Sequence, residues 1–225
     1  MKQTAILIPA RFGSSRFEGK PLVDLGGMTM IERVYKACVE TGLDTYVLTD
    51  DLRIFNLFST RNCWIEKTEY ANGTERCSGA LRWNVLNRYD QFINVQGDMP
   101  DVTVDMIAKT QIQLSEYKVS TVCTRMPEEE QNNPNSVKLV RGIGKCLWFG
   151  RGMTGYGDWH LGIYGYQRDA LETYINMVGT REEQVEQLEQ LRWLKNGWDI
   201  GVTPIVFNGI EINTLEDAER WNDRR

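Results

Sequence analysis

The stretch Ala5-Ile6-Leu7-Ile8-Pro9-Ala10-Arg11-Phe12-Gly13-Ser14-Ser15-Arg16-Phe17-Glu18-Gly19-Lys20-Pro21 decides the reading of the fold. Its apolar run, closed by Pro9, predicts a short buried strand. The loop behind it carries three cations (Arg11, Arg16, Lys20), two serine hydroxyls and two glycines. In open α/β sheets ligands bind beyond the carboxyl ends of strands. Backbone N–H groups freed by glycine, together with Arg and Lys, are what a triphosphate needs. The loop follows neither G-x-G-x-x-G nor G-x-x-x-x-G-K-[ST], so neither a dinucleotide fold nor a P-loop is indicated. A solvated basic loop is the plainer alternative.

Downstream, helical and strand patterns alternate. Ile31, Val34 and Cys38 fall at i, i+3 and i+7, with Thr29 and Glu32 forming a capping box and Gly42 a stop. Then come a strand at Tyr46-Val47-Leu48, a helix near Leu52 to Phe58, a strand at Cys63-Trp64-Ile65, a helix from about Thr74 to Leu86 and a strand at Phe92-Ile93-Asn94-Val95. Such β-α-β alternation implies an α/β fold, a mostly parallel sheet flanked by helices. The last strand runs into Gln96-Gly97-Asp98-Met99-Pro100. A carboxylate at a strand end is well placed to hold Mg²⁺ against phosphates, although Asp98 is equally suited to capping a helix after Pro100. Beyond the polar loop Glu128–Pro134, Val137, Leu139, Cys146–Phe149 and Gly162–Tyr166 look like strands. We expect one domain over 1–225 with a small β subdomain inserted at about 132–166. A helix from about Glu182 to Asn196 presents Val185, Leu188, Leu191 and Leu194 along one side.

The composition narrows the classes. Of 225 residues, 41% are hydrophobic and 25% charged, which excludes disorder, collagen and coiled coil. The net charge of −5, with no long basic run, argues against nucleic acid or an anionic membrane as partner. No apolar run approaches the ~20 residues of a membrane span. The five cysteines (Cys38, Cys63, Cys77, Cys123, Cys146) never form C-x-x-C, which speaks for buried thiols in a reducing compartment. The expectation is a soluble cytoplasmic protein.

Seven segments in order carry a family resemblance. Ile8–Arg16 with Gly19-Lys20-Pro21-Leu22, and Asn94-Val95-Gln96-Gly97-Asp98, are similar to signatures of the 3-deoxy-manno-octulosonate (Kdo) cytidylyltransferases. So are Gly73-Thr74-Glu75-Arg76, Asn133–Lys138, His160–Tyr166, Leu188-Glu189-Gln190-Leu191-Arg192 and Asn213–Arg220. The resemblance implies a Rossmann-like nucleotidyltransferase fold. It implies a Mg²⁺-dependent homodimer that joins CMP from CTP to the anomeric hydroxyl of Kdo or a related sugar acid, releasing pyrophosphate, to supply activated sugar for lipopolysaccharide or a surface glycan. Carried over, Arg11, Ser14, Arg16 and Lys20 hold the CTP phosphates and the Ala10–Arg11 backbone lies near the cytosine. Lys20, Asp98 and Arg11 form the catalytic set. Arg76, Gln96, His160, Glu189 and Gln190 line the sugar pocket, and Asp98 and Asn213 hold the metal.

The chain departs from the family pattern in places. Glu18 stands where the family has proline, Asn72 where it has serine, and Met99 where it has an acidic residue. Asn213 takes the place of the second metal-binding aspartate, which predicts a high Mg²⁺ requirement, since an amide oxygen brings no charge. Glu211 and Asp217 replace it only with a backbone shift. The stretch from Arg151 to His160 is also shorter than the family's. Glu183 and Glu186 read as a solvated acidic face. The alternative function is a degenerate homologue that binds nucleotide or sugar without turnover.

Overall fold

The computed structural model describes residues 2–13 and 17–224, so Ser14 and Arg16 lie outside the described residues. The central sheet begins with β1 (Thr4–Ala10), β2 (Asp44–Thr49), β3 (Cys63–Ile65) and β4 (Gln91–Val95), all parallel. It continues with β5 (Val119–Thr124), β8 (Asp158–Gln167) and β9 (Ile200–Pro204), in the order β3-β2-β1-β4-β8-β5-β9. β8 runs antiparallel to both β4 and β5, and β5 pairs parallel with β9. A hairpin of β6 (Lys138–Arg141) and β7 (Cys146–Gly150) hangs from β8 through β6.

Every residue of β1 is buried, as expected when helices cover both faces of a parallel sheet. Period two still sorts its side chains. Ile6 and Ile8 pack on the side of α1 (Met30–Val39) and α4 (Val104–Ile112), with Ile31, Val34, Met106 and Ile107. Ala5 and Leu7 face α3 (Gly73–Ala80), α5 (Arg168–Tyr174) and α7 (Leu191–Lys195), with Cys77, Leu171 and Leu191. Each large aliphatic side chain so buried contributes about 1.5–3 kcal/mol. The capping box of Thr29 and Glu32 closes the start of α1, and Gly42 turns the chain at φ 76°. All five cysteines are buried thiols. Among the described residues no helix is long and apolar enough to cross a membrane.

Several elements differ from the sequence reading. The helix near Leu52 is one turn, α2 (Leu52–Phe55). The one after Thr74 ends at Ala80, and a 3-10 turn follows at Asn84–Arg88. Gly162–Tyr166, grouped by sequence with the inserted β segment, lies inside β8 in the middle of the main sheet. Strand patterning reports burial on a face, not which strand is the neighbour, so this placement was not readable.

The helix at 182–196 is two pieces, α6 (Arg181–Glu186) and α7, parted by Gln187 in the left-handed region at φ 54°. The Gln187 and Leu188 N–H groups both close on the Glu183 carbonyl, as at a helix C-terminus. The cause lies in Glu183 and Arg192, which meet in a buried ion pair with Nη2–Oε1 of 2.6 Å and Nε–Oε2 of 2.8 Å. Nine residues along an unbroken helix span about 13 Å, so only a broken helix brings them together. Val185 is left 73% exposed, off any apolar side.

At the C-terminus α8 (Leu215–Asn222) starts with a Thr214–Asp217 capping box and packs Ala218 and Trp221 onto Leu25 and Met30. This anchors the segment before it, whose Ile212 N–H donates to the Asp98 carbonyl at 3.0 Å.

Candidate active site

A cleft of about 500 Å³ opens beyond the carboxyl ends of β1 and β4. Ala10, Arg11, Lys20, Arg76, Gln96, Asp98, His160, Glu189, Gln190 and Asn213 all line it. The structure therefore gathers every described residue that the sequence reading assigned to nucleotide, sugar or metal.

One half is the strand-end loop. Lys20 follows Gly19, whose φ of 71° suits glycine, and its Nζ donates to Asp98 Oδ2 at 2.7 Å and to the Ile212 carbonyl at 3.0 Å. Gly97 lets this turn pack closely, since a Cβ there would stand 3.1 Å from the Pro9 carbonyl. Asp98 does not cap the following helix: α4 begins at Val104, and its cap is the Thr103 hydroxyl, which accepts from the Met106 N–H. Glu211 also lines this half. Burial and the neighbouring Asp98 charge raise its pKa to about 8, partly offset by Lys20. Asp217 is committed elsewhere, accepting from the Asn213 and Thr214 N–H groups at 2.9 Å each.

The other half is built by α3, β8 and the α6–α7 break. The Glu189 carboxylate accepts from the Thr74 hydroxyl at 2.8 Å and from Gln96 Nε2 at 3.4 Å. Burial raises its pKa, and the Thr74 bonds counter this in part. Tyr164 donates to Gln190 Oε1 at 3.1 Å. Gln190 is 1% exposed, and its Nε2 is a buried donor with no hydrogen-bond partner among the described residues. Arg76, 4% exposed, is neutralised by Asp50 at 2.7 Å.

His160 is buried, and its Nε2 lies 3.0 Å from the Thr121 hydroxyl. That hydroxyl donates to the Ile163 carbonyl at 2.7 Å, so the imidazole carries its proton on Nε2 and leaves Nδ1 as acceptor. Burial, then the Arg151 charge, lower its pKa to about 3. It is a neutral hydrogen-bonding group and not a base.

Glu183 and Glu186, read from sequence as a solvated face, are neither free nor fully solvated. Glu183 is 8% exposed and bound to Arg192, and Glu186 accepts from the Arg151 N–H at 2.8 Å. Thr74 and Tyr164 fall inside the family-like segments without a role assigned from sequence, and Asp50 was not singled out at all. Asp50 was the one within reach, because it follows the end of β2 as Arg11 follows β1, and strand ends are where ligands sit.

The architecture is that of the nucleotidyltransferases, with a TM-score of 0.88 to a solved CMP:2-keto-3-deoxy-manno-octonic acid synthetase complexed with CTP. That match has 30% identity and covers 99% of this chain and 98% of the other. The chain belongs to the cytidylyltransferase family, whose model, described as Cytidylyltransferase, matches residues 5–200. It is 37% identical to the 3-deoxy-manno-octulosonate cytidylyltransferase of Fusobacterium nucleatum, over 95% of this chain and 93% of that protein. It is also 37% identical to the 8-amino-3,8-dideoxy-manno-octulosonate cytidylyltransferase of Shewanella pealeana, over 94% of each.

Proposed function

We propose that the protein transfers CMP from CTP to the anomeric hydroxyl of Kdo or a closely related sugar acid, releasing pyrophosphate. The observation that carries this reading is the single cleft that joins the Arg11–Lys20–Asp98 loop to the Gln96–Glu189–Gln190 wall. The anomeric oxygen forms a bond to the α-phosphorus, the bridge to the β-phosphate breaks, and the hydroxyl proton is released. Such a transfer depends on positioning and on charge stabilisation. Lys20 and Arg11 offset charge on the phosphate oxygens. Gln190 Nε2 donates to the sugar, and Glu189, held by Thr74, accepts from its hydroxyls.

Mg²⁺ is part of the proposal, and the donor set suits it. The Asp98 and Glu211 carboxylates, the Ile212 carbonyl and the amide oxygen of Asn213 are oxygen donors, the preference of a hard cation. A positive group already sits there in the Lys20 ammonium. Asp98 would hold the ion, with a second contact from the segment 211–213; when bound, it supplies charge neutralisation at the triphosphate. Family membership supports the further reading of a cytoplasmic homodimer serving lipopolysaccharide or surface-glycan synthesis. The test is pyrophosphate release from CTP across a panel of sugar acids, with and without Mg²⁺. Release that needs CTP, a Kdo-type acid and the metal is expected. Nucleotide binding without turnover on any acid would favour the degenerate alternative.

A further inference from the structure

The segment Ile210-Glu211-Ile212-Asn213 alternates in burial. Ile210 and Ile212 are 4% and 0% exposed and pack with Leu25, Met30 and Trp221, while Glu211 and Asn213 are half-buried and line the cleft. In extended chain, residues two apart face the same side, so a carboxylate at 211 reaches the same wall as the side chain at 213.

The segment is pinned at both isoleucines. The Ile210 N–H donates to Asp101 Oδ2 at 2.9 Å, and the Ile212 N–H to the Asp98 carbonyl at 3.0 Å. Lys20 bridges Asp98 Oδ2 and the Ile212 carbonyl. Glu211 thus lines the same cleft as Asp98 and Lys20, where the Lys20 ammonium is paired with Asp98. Asn213 brings a dipole to the same wall and no charge. A dication takes carboxylates ahead of amides at such a site, and charge count sets affinity.

We propose that Glu211 supplies the second carboxylate of the divalent-cation site, in partnership with Asp98, and that it makes good the charge missing at Asn213. The proposal rests on the Mg²⁺ reading above. It replaces the high metal requirement expected from Asn213 alone with an ordinary one.

The test is direct metal binding by the intact enzyme. Mn²⁺ is titrated in the presence of CTP, and water-proton relaxation enhancement reports only the ion immobilised on the protein. Glu211→Gln, close in shape and uncharged, is expected to weaken Mn²⁺ at least about tenfold, whereas Asn213→Ala changes it less than about threefold. Wild-type affinity in Glu211→Gln alongside a loss in Asp98→Asn overturns the proposal and leaves the metal reading intact. So does a loss in Asn213→Ala as large as that in Glu211→Gln. Wild-type affinity in Asp98→Asn removes the metal reading itself, and the proposal with it.

Discussion

Replacing Arg192 by leucine tests the device that shapes the sugar wall. Arg192 is 7% exposed and makes three contacts of 2.6–3.1 Å to Glu183 and one of 2.9 Å to Glu75, with its guanidinium over the Tyr174 ring. Burial opposes the charge on Arg192, but its bonds to Glu183 outweigh this and hold its pKa above the usual value. Leucine keeps part of the volume and strands the Glu183 carboxylate, itself 8% exposed. Breaking a buried pair by removing one partner costs about 3–5 kcal/mol. For a chain of this size that corresponds to a fall in Tm of roughly 6–20 °C, or of about 1–1.7 M in the urea midpoint at a slope near 3 kcal/mol per M. Glu183→Gln in the same background removes the stranded charge, so the double variant should lose less than the sum of the singles by more than about 1 kcal/mol. Glu189 and Gln190 sit in the break that this pair maintains, so KM for the sugar acid should rise more than KM for CTP. Additive losses in the urea titration, or a single variant within about 1 kcal/mol of wild type, would falsify the claim that the pair breaks the helix.

CTP at about one hundred times its Kd should stabilise the protein by about 2.7 kcal/mol, a rise of roughly 5–11 °C by differential scanning fluorimetry; equal shifts with ATP, GTP and UTP would remove the cytidylyl assignment. Lys20→Ala should slow turnover by about two to three orders of magnitude with an unchanged circular dichroism spectrum, and near wild-type kcat would show that this lysine does not serve the triphosphate. His160 is the chain's only histidine, so its NMR signals can be followed without ambiguity. With its folded pKa lowered to about 3, the native imidazole should show no titration down to pH 5. The sign follows from the depressed pKa: the stability that His160 contributes is complete above about pH 6.5 and is lost as pH falls towards 3, by up to about 1.4 kcal/mol per pH unit. A native midpoint near 6.5 would contradict the buried, neutral imidazole.

Features set by neighbours in sequence were legible, and those set by distant partners were not. The run from Ala5 to Ile8 and the Thr29–Glu32 capping box are local, and both stand as read. The break at Gln187 depends on Arg192 reaching back to Glu183 and across to Glu75, which no 3.6-residue pattern reports. The insertion of β8 between β4 and β5 is likewise a matter of pairing, not of patterning. At the site, loop chemistry and strand ends marked Arg11, Lys20 and Asp98. The orientation of Glu211 was hidden because it depends on Ile210 and Ile212 finding Leu25 and Trp221. Asp50 and Thr74 were hidden for a similar reason, since each acts by holding another side chain, Arg76 or Glu189.

The proposed reaction makes one new bond, between the CTP α-phosphorus and the anomeric oxygen of a sugar acid. It is tested most directly by incubating the enzyme with CTP, Mg²⁺ and Kdo labelled with carbon-13 at the anomeric position, and following the carbon signal by NMR. The expected result is an anomeric resonance split by coupling to one phosphorus, growing in step with pyrophosphate. An anomeric signal that stays unsplit while the enzyme binds CTP, or while CTP is merely hydrolysed to CMP, would show that the enzyme does not make this bond.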